Sequence, residues 1–373
     1  MKKILFVCGG TAGHINPALS VASAIHKSHP EIKICFAGNP DGMEARLVPQ
    51  AGFDFMPFRA MGIQRKLTPY NIYRNVKSVG LLMSAASRAK KLLREYGPSL
   101  VVGTGGYVSG PIVLEAAKMG IKTVTHEQNA FPGVTTKLLS KRVDKVLVAV
   151  EKAGEFFDPS VKYIVTGNPV RTEILTAQRQ SARRELGIPE DKFCILSFGG
   201  SLGAQRVNEA VAEVMAWHAP LGTVHHIHAT GQYGVELLPQ LLSKKNVPFQ
   251  NNPNLDIREY IDNMPTCLAA ADLVICRAGA ITLSELQAAG RASILIPSPN
   301  VAENHQYHNA MVLVNNKAAR ILEEKNLTGE NLTAMVRELQ ENPALTRELG
   351  QNARKMAITV ANTKIMEEVL ALL

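Results

Sequence analysis

The sequence predicts an α/β chain of two domains, because one glycine-rich turn pattern occurs twice, 190 residues apart. The apolar run Ile4–Cys8 leads into Gly9–His14, and the run Cys194–Phe198 leads into Gly199–Ala204. A turn of this kind exposes backbone amides beside the positive end of a helix dipole, which favours a negatively charged ligand. We therefore expect two similar domains that face a shared cleft. Only the first turn carries a histidine, His14.

Short apolar runs alternate with helical patterns in both halves, which indicates a parallel sheet in each. The predicted strands are 4–8, 32–37, 99–102, 122–125, 145–149 and 162–165, then 193–198, 224–229, 256–258, 273–276, 292–296 and 319–322. The predicted helices are 17–27, 43–50, 69–95, 110–119, 133–140, 204–217, 264–271, 280–289, 303–315, 328–341, 343–356 and about 358–373. The turn-rich segment Gly167–Arg171 is the expected hinge.

The composition is that of a folded globular protein. A chain of 373 residues can form two cores, and 46% hydrophobic with 20% charged residues is ordinary. The five cysteines form no CxxC spacing and mostly lie in apolar runs, as is typical of buried thiols in a reducing compartment. Glycines interrupt the apolar run after Met1–Lys3, and no stretch reaches the ~18 apolar residues of a membrane span, so we expect a cytosolic protein without a signal peptide.

Charge is unevenly distributed along the chain. Residues 1–166 hold 22 Lys/Arg against 11 Asp/Glu, and within them residues 55–94 hold nine basic side chains and no acidic one. Thr68-Pro69, followed by apolar residues at helical spacing, predicts an amphipathic helix in this basic stretch. Such a helix can dock on an anionic membrane surface, or it can cover the core and turn a basic face to solvent. Nucleic-acid binding is a third alternative, which the shortage of stacking aromatic residues disfavours.

A third glycine-rich cluster, Gly103–Pro111, also follows a strand pattern. Neither of the repeated turns has the G-x-G-x-x-G of dinucleotide enzymes or the Gly-Lys-Ser/Thr of a P-loop. In the second half, the stretch Arg277–Leu286 follows a strand pattern and begins a helix whose first amides can hold a diphosphate. Glu285, expected in about the first turn, can accept both hydroxyls of a ribose or can simply complement the helix dipole.

Taken together, these motifs resemble the peptidoglycan N-acetylglucosaminyltransferases that convert lipid I to lipid II, which are GT-B glycosyltransferases with two Rossmann-like domains facing a cleft. The matching stretches lie in the expected order over nearly the whole chain: Gly9–His14 with Asn16-Pro17, Gly103–Pro111, His126–Asn129 with Pro132-Gly133, Gly167–Arg171, Gly199–Ala204, Arg277–Glu285 and Asn304–Gln306. The resemblance implies an acceptor-binding, membrane-docking domain of residues 1–166 with the C-terminal helix 358–373. It also implies a UDP-sugar donor domain of residues 167–357.

The resemblance further implies transfer of N-acetylglucosamine from UDP-N-acetylglucosamine to the muramyl 4-hydroxyl of undecaprenyl-diphosphate-muramyl-pentapeptide, with inversion at the anomeric carbon. A single inverting displacement needs a base on the acceptor side, and His14 is the candidate catalytic residue. The alternative for His14 is to bind the acceptor diphosphate without taking a proton. The sequence has no Asp-x-Asp motif, so we expect no metal and no obligatory cofactor.

By analogy with the family, residues in both halves are expected to bind the donor, namely Thr11, Ala12, Gly13, Asn129, Arg171, Ser201, Ile261, Ala280, Ile281, Thr282, Glu285 and Gln306. The expected acceptor-binding residues are Gly10, Gly105, Gly106, Tyr107 and Ser109. In this assignment Arg171 and Ser201 contact the diphosphate, Glu285 holds the ribose, and the backbone of Ile261 binds the uracil. Many family members have two adjacent glutamines where this chain has His305 and Gln306. A sugar contact is therefore expected from Gln306 and not from His305.

A lipid-linked acceptor favours the membrane-docking alternative for residues 69–94. The expected partners are therefore UDP-N-acetylglucosamine, the undecaprenyl-linked muramyl-pentapeptide and the cytoplasmic face of the membrane, without nucleic acid. The main rival function is a UDP-N-acetylglucosamine 2-epimerase, which leaves the basic helix unexplained. Transfer to a diacylglycerol or sterol, and a non-catalytic nucleotide-sugar sensor, are further alternatives. The histidines of His225–His228 fall on two faces of one strand, which favours a structural or solvent-facing role over a metal site.

Overall fold

The computed structural model describes residues 1–60, 84–250 and 252–373, and the chain divides into two compact units. One unit is Met1–Pro169 together with Thr359–Leu373, and the other is Val170–Ile358. The boundaries expected from the sequence, at 166/167 and 357/358, lie within three residues of these. The first part of the expected docking helix, residues 69–83, lies outside the described residues. The acceptor and donor roles of the two units remain predictions at this stage.

The first unit is built on a seven-stranded parallel sheet with the order β3-β2-β1-β4-β5-β6-β7. Its strands are β1 Lys3–Val7, β2 Lys33–Gly38, β3 Asp54–Pro57, β4 Leu100–Gly103, β5 Lys122–Glu127, β6 Lys145–Val148 and β7 Tyr163–Val165. In β1, Ile4 and Phe6 pack in one core cluster and Leu5 and Val7 in another. Because successive side chains of a strand point to opposite faces, apolar residues at every position mean that both faces of this sheet are covered.

Helices on both faces complete the first unit. They are α1 Ala12–Ser28, α2 Glu44–Gln50, α3 (84–96 in its described part), α4 Ser109–Lys118, α5 Val134–Leu139 and the last helix of the chain, Ala361–Leu370. The last helix packs against this unit through Ile365 and Val369, which are buried in the same cluster as Phe6. Lys145 Nζ lies 2.6 Å from Oε2 of Glu368 and adds an ion pair to this contact.

The second unit is built on a six-stranded parallel sheet with the order β10-β9-β8-β11-β12-β13. Its strands are β8 Phe193–Phe198, β9 Val224–Ala229, β10 Leu255–Arg258, β11 Leu273–Cys276, β12 Ala292–Leu295 and β13 Arg320–Ile321. Its helices are α6 Thr172–Thr176, α7 Arg179–Glu185, α8 Gln205–His218, α9 Leu237–Lys244, α10 Met264–Ala270, α11 Ala280–Ala289, α12 His305–Asn315, α13 Gly329–Glu341 and α14 Pro343–Lys355, and the last helix, Ala361–Leu370, is α15.

The observed elements differ from the predicted ones in a few places. The short elements β3, α6, α7 and α9 were not predicted, because runs of four to eight residues carry too little periodicity to be recognised. Helix α1 begins at Ala12 instead of residue 17, so His14 lies in its first turn. The prediction of a start at 17 was wrong because proline favours a first helical turn, whereas Pro17 lies inside this helix.

In each sheet, the first strand in sequence lies inside the sheet, and the strand order runs outward from it in both directions. β1 pairs with β2 on one side and β4 on the other, and β8 pairs with β9 and β11 in the same way. The loops that follow such a strand and its neighbour run to opposite faces and open a crevice at the carboxyl edge, the usual ligand position in open α/β sheets. We call the β1/β4 position the first switch point and the β8/β11 position the second switch point. The glycine-rich loops singled out in the sequence lie at these two positions.

Candidate functional site

His14 lies at the first switch point, in the first turn of α1. Its Nδ1 is 3.0 Å from the carbonyl oxygen of Gly9 and 3.4 Å from Oγ1 of Thr11. Because a carbonyl oxygen can only accept a hydrogen bond, Nδ1 carries the proton in this contact, and Nε2 of the neutral ring keeps its lone pair. The local backbone therefore holds His14 in the tautomer that can accept a proton at Nε2.

The loop after β4 packs directly against the loop that carries His14. A Cβ atom on Gly105 would lie 2.6 Å from Cδ2 of His14 and 3.0 Å from Nε2. A Cβ atom on Gly106 would lie 2.3 Å from the carbonyl oxygen of Gly9. Both glycines have a positive φ, +109° and +85°, which other residues rarely adopt. Glycine at 105 and 106 is therefore what allows the two loops to meet around His14.

The hydroxyl groups near this contact are used to hold the backbone. Thr104 Oγ1 donates to the carbonyl oxygen of His14 at 2.8 Å. Ser109, predicted to bind the acceptor, is fully buried, and its Oγ lies 2.9 Å from the carbonyl oxygen of Val7 and 2.7 Å from that of Gly105. Tyr107 is 60% exposed. The structure thus gives Ser109 a role in shaping the loop, and the acceptor contacts of Gly10, Gly105, Gly106, Tyr107 and Ser109 remain predictions.

A buried carboxylate, Glu44, supports the first switch point and was not predicted. Its Oε1 accepts from the backbone N–H of Asn39 at 2.9 Å, and its Oε2 lies 3.4 Å from the backbone nitrogen of Gly10. A Cβ atom on Gly9 would lie 2.4 Å from Oε1, so the loop rests directly on this carboxylate. In the sequence Glu44 is simply an acid in the first turn of a helix, which the helix dipole alone explains.

The motif His126–Asn129, one of the stretches that carry the family resemblance, forms a buried hydrogen-bonded scaffold. His126 Nε2 donates to the carbonyl oxygen of Gly167 at 3.0 Å, and burial lowers the pKa of His126, which favours a neutral ring. Glu127 accepts from the backbone and side-chain nitrogens of Asn129, both at 3.0 Å, and from the backbone of Gly133. This motif therefore fixes the ends of β5 and β7 and positions Asn129.

At the second switch point, a cavity of about 470 Å³ opens among the loops that follow β8, β11 and β12. This volume is within the range of small-molecule pockets. Its lining includes two of the predicted donor-binding residues, Thr282 and Gln306, and the predicted glycine turn at Gly199 and Gly200. Several residues of the lining were not predicted: Arg206, Ser298, Asn300 and Glu324.

The walls of this cavity, which we call the donor cavity after the role predicted for it, are fixed by internal contacts. Arg277 pairs with Glu324, and its Nη1 donates to the carbonyl oxygen of Ile296 at 3.1 Å. Gln306 Oε1 accepts from the backbone N–H of Ser298 at 2.9 Å, which leaves the amide nitrogen of Gln306 to donate to a ligand. Helix α11 begins at the cavity, so the positive end of its dipole faces the cavity.

Arg171 and Glu285, predicted to bind the diphosphate and the ribose, are paired with each other. Arg171 Nε lies 2.8 Å from Oε1 of Glu285. Burial raises the pKa of Glu285, and the Arg171 guanidinium opposes this shift by favouring the ionised carboxylate. Glu285 lies in the second turn of α11, two residues beyond the first turn near which it was expected. The arginine thus compensates a carboxylate whose side chain is only 11% exposed.

The other predicted donor-binding residues are distributed over both units. In the second unit, Ser201 lies in the exposed loop after β8, Ile261 is buried directly after β10, and Ala280 and Ile281 form the first turn of α11. In the first unit are Thr11, Ala12, Gly13 and Asn129. No contact in the structure assigns these residues to a donor, so their binding roles stay predictions.

A chain of buried histidines lies beneath the loop of the second switch point. His226 and His228 of β9 both contact Ser197 Oγ at 2.7 Å, and His218 Nε2 lies 2.9 Å from Nδ1 of His226. His228 Nε2 donates to Asn208 Oδ1 at 3.1 Å. Burial lowers the pKa of His218 to about 4 and that of His228 to about 3, so the rings are neutral. The alternative of a solvent-facing strand end was wrong, since all six residues of β9 are buried.

Among the described residues there is neither a group of side chains suited to a metal ion nor a helix suited to spanning a membrane. Within residues 1–60, 84–250 and 252–373, no three or more histidine, cysteine, aspartate and glutamate side chains are grouped so as to hold a metal ion. Over the same residues, no helix combines the length and apolar character needed to cross a membrane. The expectation that no metal or other cofactor is obligatory remains a prediction.

Two doubly wound parallel-sheet units, with glycine-rich loops at their switch points, have the architecture of the GT-B glycosyltransferases. Residues 4–148 match the glycosyltransferase family 28 N-terminal domain and residues 194–368 match its C-terminal domain, and the chain belongs to this family. It is 42% identical to the Acetivibrio thermocellus UDP-N-acetylglucosamine--N-acetylmuramyl-(pentapeptide) pyrophosphoryl-undecaprenol N-acetylglucosamine transferase, over 98% of this chain and 96% of that protein. It is 41% identical to the protein of the same name from Desulfitobacterium hafniense, over 98% and 97%.

Among solved structures, the crystal structure of Acinetobacter baumannii MurG resembles this chain with a TM-score of 0.75 and 30% sequence identity, and the match covers all of both chains. The resemblance to this family inferred from the sequence motifs is therefore confirmed, as is the prediction of two parallel-sheet α/β domains. The epimerase alternative is not favoured by these comparisons.

Proposed function

We propose that this enzyme transfers N-acetylglucosamine from UDP-N-acetylglucosamine to the muramyl 4-hydroxyl of undecaprenyl-diphosphate-linked muramyl-pentapeptide, with inversion at the anomeric carbon. The observation that carries the proposal is identity of about 40% over nearly the full length of proteins named for this transfer. The geometry of the two switch points supports the chemistry, since one offers a proton acceptor and the other a cavity beside a helix N-terminus.

The acceptor hydroxyl must lose its proton as it attacks the sugar, and we assign that proton to Nε2 of His14. The contact between Nδ1 and the carbonyl oxygen of Gly9 fixes the tautomer and stabilises the ring once Nε2 is protonated. The departing UDP gains negative charge, and the N-terminal amides of α11 are the fixed dipoles that would stabilise it. Glu285, held by Arg171, would accept the ribose hydroxyls.

Product analysis tests the proposal. Labelled UDP-N-acetylglucosamine is incubated with and without a short-chain lipid I analogue, and a labelled lipid-linked disaccharide is expected only when the acceptor is present. Formation of UDP-N-acetylmannosamine without acceptor, or of UDP and free N-acetylmannosamine if water also cleaves the sugar from UDP, would instead identify an epimerase and overturn the proposal.

The role of His14 is tested separately by His14→Ala, with His26→Ala on the same helix as the matched control. Loss of a general base should lower kcat by about 10²–10⁴ while UDP still binds. His26 is exposed, so its substitution should leave kcat unchanged. An increase in KM for the acceptor with kcat preserved would show that His14 is a diphosphate ligand and not the base.

We further propose that the enzyme docks on the cytoplasmic face of the membrane through the basic helix of residues 69–94. In the described part of this helix, Ala89, Leu92 and Leu93 are buried in the core, so the exposed Lys90 and Arg94 supply the attraction to anionic lipid. Lys90→Glu with Arg94→Glu should reduce sedimentation with phosphatidylglycerol vesicles. Lys27→Glu with Lys162→Glu, the same charge change elsewhere on the first unit, should have little effect.

A further inference from the structure

A second cavity, of about 820 Å³, lies in the second unit at the opposite edge of its sheet. Its floor includes Lys192, Asp272 and Arg291, each of which directly precedes a strand, namely β8, β11 and β12. Because these strands are parallel, this is the amino edge of the sheet, whereas the donor cavity lies at the carboxyl edge. The two cavities are separated by the length of the strands, so the amino-edge cavity is not part of the donor site.

The lining of the amino-edge cavity is more basic than its surroundings. The second unit holds 18 Lys/Arg against 19 Asp/Glu, which is close to neutral. The lining contains five basic residues and three acidic ones. The basic residues are Arg179, Lys192, Arg291, Arg347 and Arg354, and the acidic residues are Glu190, Asp191 and Asp272. The positive excess is therefore a local property of this cavity.

At the floor, one carboxylate serves several guanidinium groups. Asp272 accepts from Arg179 and from the fully buried Arg183, both at 2.7 Å, and also from the backbone N–H of Cys194. Arg291 donates to the carbonyl oxygen of Ala271, but its buried Nε has no hydrogen-bond partner among the described residues. Burial and the charge of Arg179 lower the pKa of Arg291 to about 10. A buried cation is costly, and a bound anion would offset the positive charge of Arg291, whose side chain lines the cavity.

At the rim, α14 contributes two further arginines. Arg347, Gly350 and Arg354 follow one another at helical spacing, so they lie on one face of the helix. A Cβ atom on Gly350 would lie 2.6 Å from the carbonyl oxygen of Gly290, which shows how closely this face approaches the end of α11. The contact fixes the helix at the cavity wall, where both arginines line the cavity and remain exposed.

We propose that the amino-edge cavity binds a phosphate-bearing anion, with Arg291 at its floor and Arg347 and Arg354 at its rim. Guanidinium groups match the oxygens of phosphate with two parallel hydrogen bonds, which makes arginine better suited than lysine to such a ligand. The volume accommodates a molecule of nucleotide size. The site is independent of the proposed transferase function, because it uses none of the residues assigned to either substrate.

Calorimetric titration of inorganic pyrophosphate tests the proposal. The full chain is first saturated with UDP, so that the donor cavity is occupied. Because the loops of the first switch point can also take a diphosphate, the amino-edge cavity is identified as the pyrophosphate site that depends on Arg347 and Arg354. Arg347→Ala with Arg354→Ala should weaken this binding at least about tenfold, because two charge-assisted contacts are removed. Lys244→Ala with Lys355→Ala is the control: both lysines are exposed, neither lines the cavity, and the charge change is the same.

A phosphate group could also belong to a lipid, and a second arm distinguishes this source. Sedimentation with phosphatidylglycerol vesicles is compared with phosphatidylcholine vesicles in the Lys90→Glu, Arg94→Glu background, which lowers the positive charge of the basic stretch 55–94. Binding of these vesicles that depends on Arg347 and Arg354, without pyrophosphate binding, would identify a lipid headgroup as the anion. The proposal is overturned if neither probe binds, or if the control pair weakens binding as much as the arginine pair.

Discussion

The two switch points share one strand order but differ in how their loops are used. At the first, the loops after β1 and β4 touch each other, and the ring of His14 lies against Gly105. At the second, the corresponding loops leave a cavity of about 470 Å³ beside the start of α11. The topology therefore determines where a site can form, while the side chains on the loops determine whether it offers a reactive group or a binding volume.

The loops of the two switch points also pack against different buried side chains. The loop at the first switch point rests on the carboxylate of Glu44, whereas the loop at the second lies above the chain of neutral histidines that joins β8, β9 and α8. A carboxylate accepts from backbone N–H groups when it is ionised, but a buried imidazole keeps this pattern of contacts only while it is neutral. Four predictions test how the two switch points differ.

The largest expected effect is a loss of stability of the second unit in acid. The pKa of His218 is lowered from 6.5 to about 4 and that of His228 to about 3, so the unfolded chain binds more protons below pH 6.5. The free energy of unfolding should therefore fall as the pH falls below this value. At pH 5 the loss should reach about 2 kcal/mol for each of these histidines.

Urea unfolding at a series of pH values measures this loss. His228→Gln should reduce its slope with pH by the contribution of one histidine, whereas His26→Gln, at an exposed position in the first unit, should not. If the free energy of unfolding of His228→Gln changes with pH as steeply as that of the unmodified protein, protonation of His228 is not what destabilises the second unit in acid.

The next largest effect is expected at the contact between the two loops of the first switch point. Gly106→Ala places a Cβ atom 2.3 Å from the carbonyl oxygen of Gly9, in addition to the strain of a positive φ. We expect a loss of about 3 kcal/mol or more in the free energy of unfolding and a large fall in kcat/KM, because backbone must move to relieve the clash. Gly120→Ala has a similar φ, +74°, but open space around it, and should cost only about 1 kcal/mol. Equal losses for the two variants would show that the loops do not need this close approach.

Much of this architecture could be predicted because it depends on local signals. Apolar runs and glycine-rich turns predicted twelve of the strands close to their observed bounds, and the signal is clearest in a strand such as β11, which is apolar throughout. Among the strands of the described residues, β3 alone was missed. Its sequence Asp-Phe-Met-Pro mixes polar and apolar residues, as suits a strand at the sheet edge.

Contacts between residues distant in sequence could not be predicted in the same way. Arg171 and Glu285 are separated by 114 positions, and nothing in either neighbourhood indicates that they pair. Glu44 resembles any acid of a first helical turn, and the histidines of β9 find Ser197 only when the sheet forms. The motif resemblance indicated which residues belong to the site, but the contacts that support them depend on the tertiary fold.

A smaller effect is expected when the Arg171–Glu285 pair is broken. Arg171→Ala leaves a buried carboxylate uncompensated, and Glu285→Gln removes its charge, so each should raise KM for the donor about 10- to 100-fold with less change in kcat. Because the two side chains contact each other, the double variant should be less impaired than the sum of the single effects. Strict additivity in this cycle would mean that the pair acts as two independent groups.

The smallest effect should come from the hydrogen bond between Thr104 and the backbone of His14. Thr104→Val keeps the shape of the side chain but removes the donor that lies 2.8 Å from the carbonyl oxygen of His14, at a cost of about 1 kcal/mol in stability. Since α1 is then held less firmly at its first turn, kcat should fall a few-fold while KM for the donor is unchanged. Thr104→Ser retains the hydroxyl and should restore kcat. If Thr104→Val instead raised KM for the donor with kcat unchanged, this hydrogen bond would support the donor contacts predicted for Thr11, Ala12 and Gly13, and not the position of His14 as the base.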